Sequence, residues 1–320
     1  MRLFRNAMVA LTAALAITAV PAAAKSKANL PRLTIDELRQ KYADPASKYM
    51  NIDGLEVHYK DEGTGPVLLM VHGSESSLRT YDRIAAKLKD KYRIIRFDIP
   101  GYGLSGRISD RAAASVQPTD IPAKLLAALG ATEVNCAGVS SGGTMCMYLA
   151  ARHPQLVKRL ILSNMPSDPV KTDHMVQPES FIAAQKRASE TGYRDQVFWN
   201  EFLTYFAGDP ARISEQTRRE YYDFNRRTPE KHPIAMIARI GDGKEARVLM
   251  QAVKVPTLII WGGKDHLLPV FAADNLAGYL PNAQISKLIM PDVGHYPPLE
   301  SPERFAELIR VYLEDVVPTP

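Results

Sequence analysis

Cysteine is scarce in this sequence, with only Cys136 and Cys146 among 320 residues. Both lie in apolar stretches, so we expect two buried thiols, although the two could pair in an oxidising compartment. Neither stands at the apex of the turn described below, which argues against a cysteine nucleophile.

Metal-ligating and strongly basic patterns are also missing. None of the seven histidines lies two or four residues from another, so the sequence indicates no protein metal site. No run of lysine and arginine forms a basic stripe, which argues against a nucleic-acid partner.

An apolar run near the N-terminus is too short for a transmembrane helix. It covers residues 7–20, whereas a spanning helix needs ~20 apolar residues. The run follows Arg2 and Arg5 and precedes three alanines that end at Ala24, as in a secretory signal peptide. We predict a secreted or periplasmic protein without a stable membrane anchor. Loss of the two arginines would lower the net charge from +5 to +3.

Apolar runs suited to buried strands alternate with helical patterns through most of the chain. Strands are predicted at 66–71, 92–97, 134–137, 160–164, 255–261 and 283–290, with helices at 81–89 and 121–129. A hairpin around Asp53-Gly54 precedes them. The alternation predicts an α/β fold with a mostly parallel central sheet and helices on both faces.

The alternation of strand and helix patterns is interrupted between Pro166 and Lys254, where only helical patterns occur. Helices are predicted at 178–189, 195–207, 214–225 and 233–240. The insertion should form a cap over the carboxyl ends of the strands, where ligands bind in open parallel sheets. One aromatic face, formed by Phe198, Phe202, Tyr205 and Phe206, would either line an apolar pocket or seal the cap against the core. The predicted organisation is a signal peptide at 1–24, a core at 25–166 and 255–320, and a helical cap at 167–254.

The sequence is organised around a strand, turn and helix at residues 132–148. An apolar run from Val134 leads into Gly138-Val139-Ser140-Ser141-Gly142-Gly143, and a helical pattern begins at Thr144. This G-x-S-x-G spacing is that of a nucleophile elbow, with a serine at the apex of a sharp turn. Glycine is needed two positions to either side because a side chain there would clash. Ser140 is therefore the candidate nucleophile.

A serine hydroxyl needs a neighbouring base to remove its proton. His295 is the candidate base, because it follows the last predicted strand in a loop that can reach back over the sheet. Asp265 follows the penultimate strand and is the candidate acid that would orient the imidazole. In chain order the candidates are serine, aspartate and histidine, which is the order that accompanies a G-x-S-x-G nucleophile elbow.

Other histidines and carboxylates fit these roles less well. His72 follows a central strand and is expected to brace the next loop. His266 adjoins Asp265 but would point the opposite way if the strand register continued. Asp98 also ends a strand, but the glycine-rich segment after it indicates a structural loop.

Acyl chemistry also requires hydrogen-bond donors for the developing oxyanion. The candidates are the backbone N–H of Ser141, at a helix N-terminus, and that of Ser74, just after His72-Gly73. Glu75 is an unexpected neighbour for an anion. It is either a solvent-facing carboxylate or a contact to a polar part of the substrate.

These motifs resemble the α/β-hydrolase superfamily over nearly all of residues 50–316, in the capped branch that includes esterases, lactonases and carbon–carbon bond hydrolases. The matching segments are His72-Gly73, Asp98-x-x-Gly101-x-Gly103-x-Ser105, residues 138–143, His153-Pro154, Trp261-Gly262-x-x-Asp265 and Gly294-His295. The resemblance implies an α/β-hydrolase fold with a helical cap insertion. It also implies nucleophile, acid and base roles for Ser140, Asp265 and His295.

Departures from the relatives narrow the expected reaction. Dehalogenases and epoxide hydrolases in this branch carry aspartate at the apex, and their usual proline after His-Gly-x is replaced here by Glu75. Proline iminopeptidases typically carry tryptophan where this chain has Ser141. We predict hydrolysis of a small, partly apolar ester or lactone without a cofactor. The alternatives are hydrolysis of a carbon–carbon bond next to a ketone and a non-catalytic ligand-binding relative.

Overall fold

The computed structural model describes residues 31–227 and 243–314. The predicted signal peptide and the predicted helix at 233–240 lie outside these residues. Within the described ranges, no helix combines the length and the apolar character needed to cross a membrane.

Eight strands are present in the described chain: β1 Lys48–Ile52, β2 Leu55–Glu62, β3 Val67–Val71, β4 Arg93–Phe97, β5 Val134–Val139, β6 Val157–Ser163, β7 Thr257–Gly262 and β8 Ile285–Met290. The α-helices are α1 Ile35–Tyr42, α2 Asp82–Leu88, α3 Asp110–Ser115, α4 Ile121–Ala128, α5 Ser141–Arg152, α6 Glu179–Thr191, α7 Gln196–Phe206, α8 Glu215–Asn225, α9 Gly243–Ala252, α10 Phe271–Gly278, α11 Pro297–Glu300 and α12 Pro302–Glu314.

These strands form one sheet in the order β1-β2-β4-β3-β5-β6-β7-β8. The antiparallel hairpin of β1 and β2 turns at Asp53-Gly54, where both residues have positive φ, and β2 pairs antiparallel with β4. Every other pair of neighbours in this sheet is parallel. The predicted mostly parallel α/β architecture is therefore confirmed.

The central strands are buried on both faces of the sheet. Successive side chains of a strand point to opposite faces. In β3, Leu69 and Val71 join an apolar cluster with residues of α4 and α5, whereas Leu68 and Met70 join one with residues of α2 and α12. Helices on both faces explain why these strands read as continuous apolar runs.

Helices α6, α7 and α8 follow β6, and residues 178–225 are called the helical segment below. Their bounds agree with the predicted helices to within two residues. The segment contacts the loops that follow β3 and β8. The main-chain N–H of His295 donates to the carbonyl oxygen of Phe206 at 2.8 Å, and the Tyr221 hydroxyl donates to Ser76 at 3.0 Å. The segment thus lies at the carboxyl ends of the strands, and the domain boundaries at 166 and 254 stay a prediction.

Cys136 and Cys146 form a disulfide, so the expectation of two separate thiols was wrong. Cys136 lies on β5 and Cys146 on α5, and the sharp turn between them folds the helix back along the strand. Their Cα atoms are consequently 5.9 Å apart, within the range that a disulfide bridges. The bond joins the two elements that flank the turn.

Candidate active site

The turn between β5 and α5 holds Ser140 in a conformation that non-glycine residues rarely adopt, with φ 54° and ψ −129°. A Cβ atom at Gly138 would approach the carbonyl oxygen of Gly142 to 2.4 Å, and one at Gly142 would approach that of Val71 to 2.2 Å. Close backbone contact therefore requires both glycines. Helix α5 begins at Ser141, three residues before the predicted start, because these contacts override the weak helix propensity of glycine.

His295 and Asp265 are both buried and form a hydrogen bond. Nδ1 of His295 lies 2.8 Å from Oδ2 of Asp265. An ionised carboxylate only accepts hydrogen bonds, so Nδ1 carries the hydrogen. Nε2 is then the basic nitrogen of the neutral ring.

Three further donors surround the carboxylate of Asp265. The side-chain amide of Asn164 donates to Oδ2 at 2.6 Å, and the main-chain N–H groups of Leu267 and Leu268 donate to Oδ1 at 2.8 and 3.0 Å. Asn164 follows β6 and has a φ of 44°. Sequence reasoning missed Asn164, which it assigned to the end of a strand. A polar residue at the carboxyl end of a central strand was the available signal.

Ser140 and His295 line one small cavity. Oγ of Ser140 and Nε2 of His295 are buried, and neither forms a hydrogen bond with any other described residue. The volume open to the centre of a water-sized molecule is about 20 Å³. Its walls include Glu75, Phe202 and Tyr221. The two residues with candidate roles in proton transfer therefore line the same space.

The candidate oxyanion donors lie beside this cavity. Ser74 is one of the lining residues, and Ser141 is the first residue of α5, so its N–H has no partner within the helix. The two side-chain oxygens are 3.0 Å apart. Gly73 packs directly against Ser140, since a Cβ atom at Gly73 would lie 3.0 Å from that of Ser140. The loop after β3 thus rests on the turn that carries the serine.

Asp98 and His72 belong to a separate buried network. Oδ2 of Asp98 lies 2.7 Å from Nδ1 of His58, and Oδ1 accepts the N–H of Leu78 at 2.6 Å. Burial opposes the ionisation of Asp98, but the interaction with His58 brings its pKa below the usual value. Nε2 of His72 accepts the N–H of Ile99 at 2.9 Å, and burial lowers the pKa of this imidazole. His72 therefore joins the loops after β3 and β4, as expected.

The two remaining expectations concern His266 and the aromatic face of α7. His266 is exposed, stacks on Tyr205 at 4.9 Å between ring centroids, and is not among the residues that line the cavity. The aromatic face divides between the two expected roles. Phe202 lines the cavity, and Tyr205 and Phe206 face His266 and His295 in the loops after β7 and β8. Phe198 instead packs on Phe181 of α6, within the helical segment.

Glu300 is a further residue that sequence reasoning missed. Its carboxylate accepts the N–H groups of Gly294 at 3.0 Å and of Gly208 at 2.8 Å, so it holds the histidine loop against the end of α7. Burial raises the pKa of Glu300, although these hydrogen bonds partly offset the effect. Its position five residues after His295 gave no periodic signal.

Comparisons with known proteins agree with this architecture. The family model for the alpha/beta hydrolase fold matches residues 66–302. A 2-hydroxy-6-oxononadienedioate/2-hydroxy-6-oxononatrienedioate hydrolase from Burkholderia vietnamiensis is 28% identical over 284 residues, which cover 83% of this chain and 95% of that protein. A pimeloyl-acyl-carrier-protein methyl ester esterase from Nitrosomonas europaea is 28% identical over 257 residues, which cover 78% and 96%. The crystal structure of an enol-lactonase from Burkholderia xenovorans superposes with a TM-score of 0.66 at 21% identity, covering 84% of this chain and 100% of that one.

The backbone contacts of the elbow predict that Gly138→Ala lowers the free energy of unfolding by about 1–3 kcal/mol. The new methyl group would clash with the carbonyl oxygen of Gly142, whose position is fixed by the backbone of α5. Gly278→Ala is the matched control, since a Cβ atom at that position would meet no other atom within 4 Å. The control should be neutral or stabilising by up to about 1 kcal/mol. Urea unfolding measures both variants, and equal stability of the two would contradict the steric argument.

Proposed function

The chain belongs to the alpha/beta hydrolase fold family, and on that premise we propose that it is a serine hydrolase that cleaves a carboxylic ester or lactone through an acyl-enzyme. The observation that carries the proposal is the shared cavity. Ser140 and His295 both line it, their Oγ and Nε2 atoms have no hydrogen-bond partner in the described chain, and Asp265 holds the other imidazole nitrogen. Relatives named as hydrolases support a hydrolytic enzyme.

In the proposed reaction, Nε2 of His295 removes the proton of Ser140 while Oγ attacks the carbonyl carbon. The backbone N–H groups of Ser74 and Ser141 stabilise the oxyanion, and each such donor is worth roughly 10²–10³ in rate. Asp265 stabilises the imidazolium, which then protonates the leaving alcohol. His295 next activates a water molecule, which releases the acid and restores the serine.

Hydrolysis of a carbon–carbon bond next to a ketone is the second candidate. The relative from Burkholderia vietnamiensis favours it, because the 6-oxo group in the name of its substrate places a ketone where hydrolysis would cleave the carbon chain. Both reactions would use Ser140, Asp265 and His295. They differ in the leaving group, which is an alcohol in one case and a carbon acid in the other. We favour the ester or lactone because it requires only the proton transfers described above.

We also propose that the protein is exported, with residues 1–24 as its signal peptide. The disulfide between Cys136 and Cys146 supports this proposal, because such bonds form and persist mainly in oxidising compartments.

Ser140→Ala and His295→Ala should each lower kcat by roughly 10⁴-fold or more while the fold is retained. A fluorophosphonate probe should label the wild-type protein and fail to label Ser140→Ala. Ser115→Ala, which removes an exposed serine of α3, is the control and should be labelled normally. Wild-type protein that stays unlabelled would instead favour the ligand-binding relative.

A substrate panel separates the two reactions. We expect turnover of p-nitrophenyl esters or of lactones to exceed that of β-diketones, because 4-nitrophenolate or an alkoxide leaves more readily than a carbanion. Steady-state kcat/KM measured for each class provides the comparison. A preference for the diketones that Ser140→Ala abolishes would establish the second candidate.

The export proposal predicts that protein from the periplasmic fraction begins at Lys25 and carries no free thiol. N-terminal sequencing checks the first point. Alkylation of the denatured protein before and after reduction checks the second, since only the reduced sample should take up two alkyl groups. A cytoplasmic protein that retains Met1 would overturn the proposal.

A further inference from the structure

Backbone strain in the described chain is concentrated at the active site. Non-glycine residues with positive φ are Asp53, Glu75, Ser140 and Asn164. Asp53 lies in a hairpin turn. The other three are Ser140 itself, Glu75, which lines the same cavity, and Asn164, which donates to Asp265. Glu75 has a φ of 60°, although glutamate rarely adopts this conformation and has no local hydrogen bond of the kind that favours it in asparagine. Such a conformation persists only when surrounding contacts impose it.

The contacts that impose it come from the helical segment. The guanidinium of Arg194, just before α7, pairs with Oε1 of Glu75. The side-chain amide of Asn225, on α8, donates to the carbonyl oxygen of Glu75 at 2.7 Å. The next residue, Ser76, accepts the hydroxyl of Tyr221 at 3.0 Å. Both the side chain and the main chain of residue 75 are thus held from the same side.

Arg194 is itself held in place by aromatic rings. Its guanidinium carbon lies 5.1 Å from the ring centroid of Phe198 and 5.6 Å from that of Trp199, distances typical of cation–π contacts. The charge of Glu75 is the main cause that raises the pKa of Arg194, so the guanidinium stays charged. An ion pair that is anchored at one end can fix the position of the other.

On its opposite side, the same loop rests on the elbow. Ser74 immediately precedes Glu75, its Oγ lies 3.0 Å from that of Ser141, and Gly73 packs on Ser140. The loop is therefore held between the elbow and the helical segment. A change in the backbone of residue 75 would turn the peptide group that joins Ser74 to Glu75. Through the Cα atom of Ser74 it would also shift the preceding peptide group, which carries the N–H of Ser74.

We propose that Arg194 is a positioning residue that acts through Glu75 to fix the backbone N–H of Ser74 for oxyanion stabilisation. This inference rests on the proposed serine-hydrolase function. Glu75 would then link Arg194 to the loop that carries Ser74, which differs from both roles expected from the sequence, a solvent-facing carboxylate and a substrate contact. Catalysis would also depend on the docking of the helical segment.

The test compares Arg194→Met with Arg194→Lys and with a control ion pair. Arg194→Met should lower kcat for a p-nitrophenyl ester by about 10- to 100-fold with little change in KM, because misplacement of one donor weakens stabilisation of the transition state. Arg194→Lys retains the charge and should recover part of the loss. Arg79→Met is the control, since Arg79 pairs with Glu220 of α8 at 2.8 Å and joins the same two parts of the chain. The control should affect stability but leave kcat unchanged.

Two further readouts separate positioning from substrate binding and from stability. Rates of fluorophosphonate labelling should fall in Arg194→Met in parallel with kcat, and the loss should be similar for esters with different acyl groups. The double variant Glu75→Gln with Arg194→Met should be no slower than the more impaired single variant, because both remove one interaction. Thermal unfolding monitors the fold of each protein.

The outcomes are distinct. If Arg194→Met alters only KM, or alters only the unfolding temperature as Arg79→Met does, the positioning role is wrong and the serine-hydrolase function stands. If the wild-type protein is neither labelled nor active on any ester, the proposed function fails and the positioning role fails with it.

Discussion

The close approach of three backbone segments at the elbow is the constraint on which the site depends. Gly138 and Gly142 contact each other across the turn, and Gly142 also lies against the end of β3 at Val71. β3 ends at Val71 and continues into Gly73, which packs on Ser140. The same strand therefore supports the turn and positions the loop that contains Gly73. The strain at Ser140, of order 1–3 kcal/mol, is offset by this packing. The disulfide joins the strand and the helix on either side of it.

Two buried aspartate–histidine pairs in this fold share the same local chemistry, but only one of them is the candidate catalytic pair. In each pair the carboxylate binds Nδ1 of a histidine and also accepts main-chain N–H groups. The difference lies at the other nitrogen. Nε2 of His58 meets the hydroxyl of Ser47 at 3.0 Å, in a turn before the edge strand β1. Nε2 of His295 has no hydrogen-bond partner in the described chain, and His295 lines the cavity together with Ser140. The position of each pair in the sheet decides which of the two lies at the cavity.

The sequence predicted those features that a local pattern encodes. The elbow has fixed glycine positions, and Asp265 and His295 each follow a buried strand, so the parallel sheet brings their loops to one edge. Asn164 and Asp265, by contrast, are 101 positions apart, and Glu75 and Arg194 are 119 apart. No periodicity links such partners. The disulfide was missed for a related reason, because its formation depends on how sharply the turn folds α5 onto β5.

The difference between local patterns and contacts of distant residues also explains why the reaction class is easier to predict than the substrate. Ser140 and His295 come from the core, whose backbone contacts leave little freedom, whereas Phe202 and Tyr221 bring the helical segment to the cavity wall. At about 20 Å³, the cavity is far smaller than the roughly 300 Å³ or more of typical ligand sites. Under the proposed function, the side chains that the helical segment contributes shape the space next to Ser140. Substrate choice therefore depends on the side chains and the docking of α7 and α8, which the catalytic motifs do not specify.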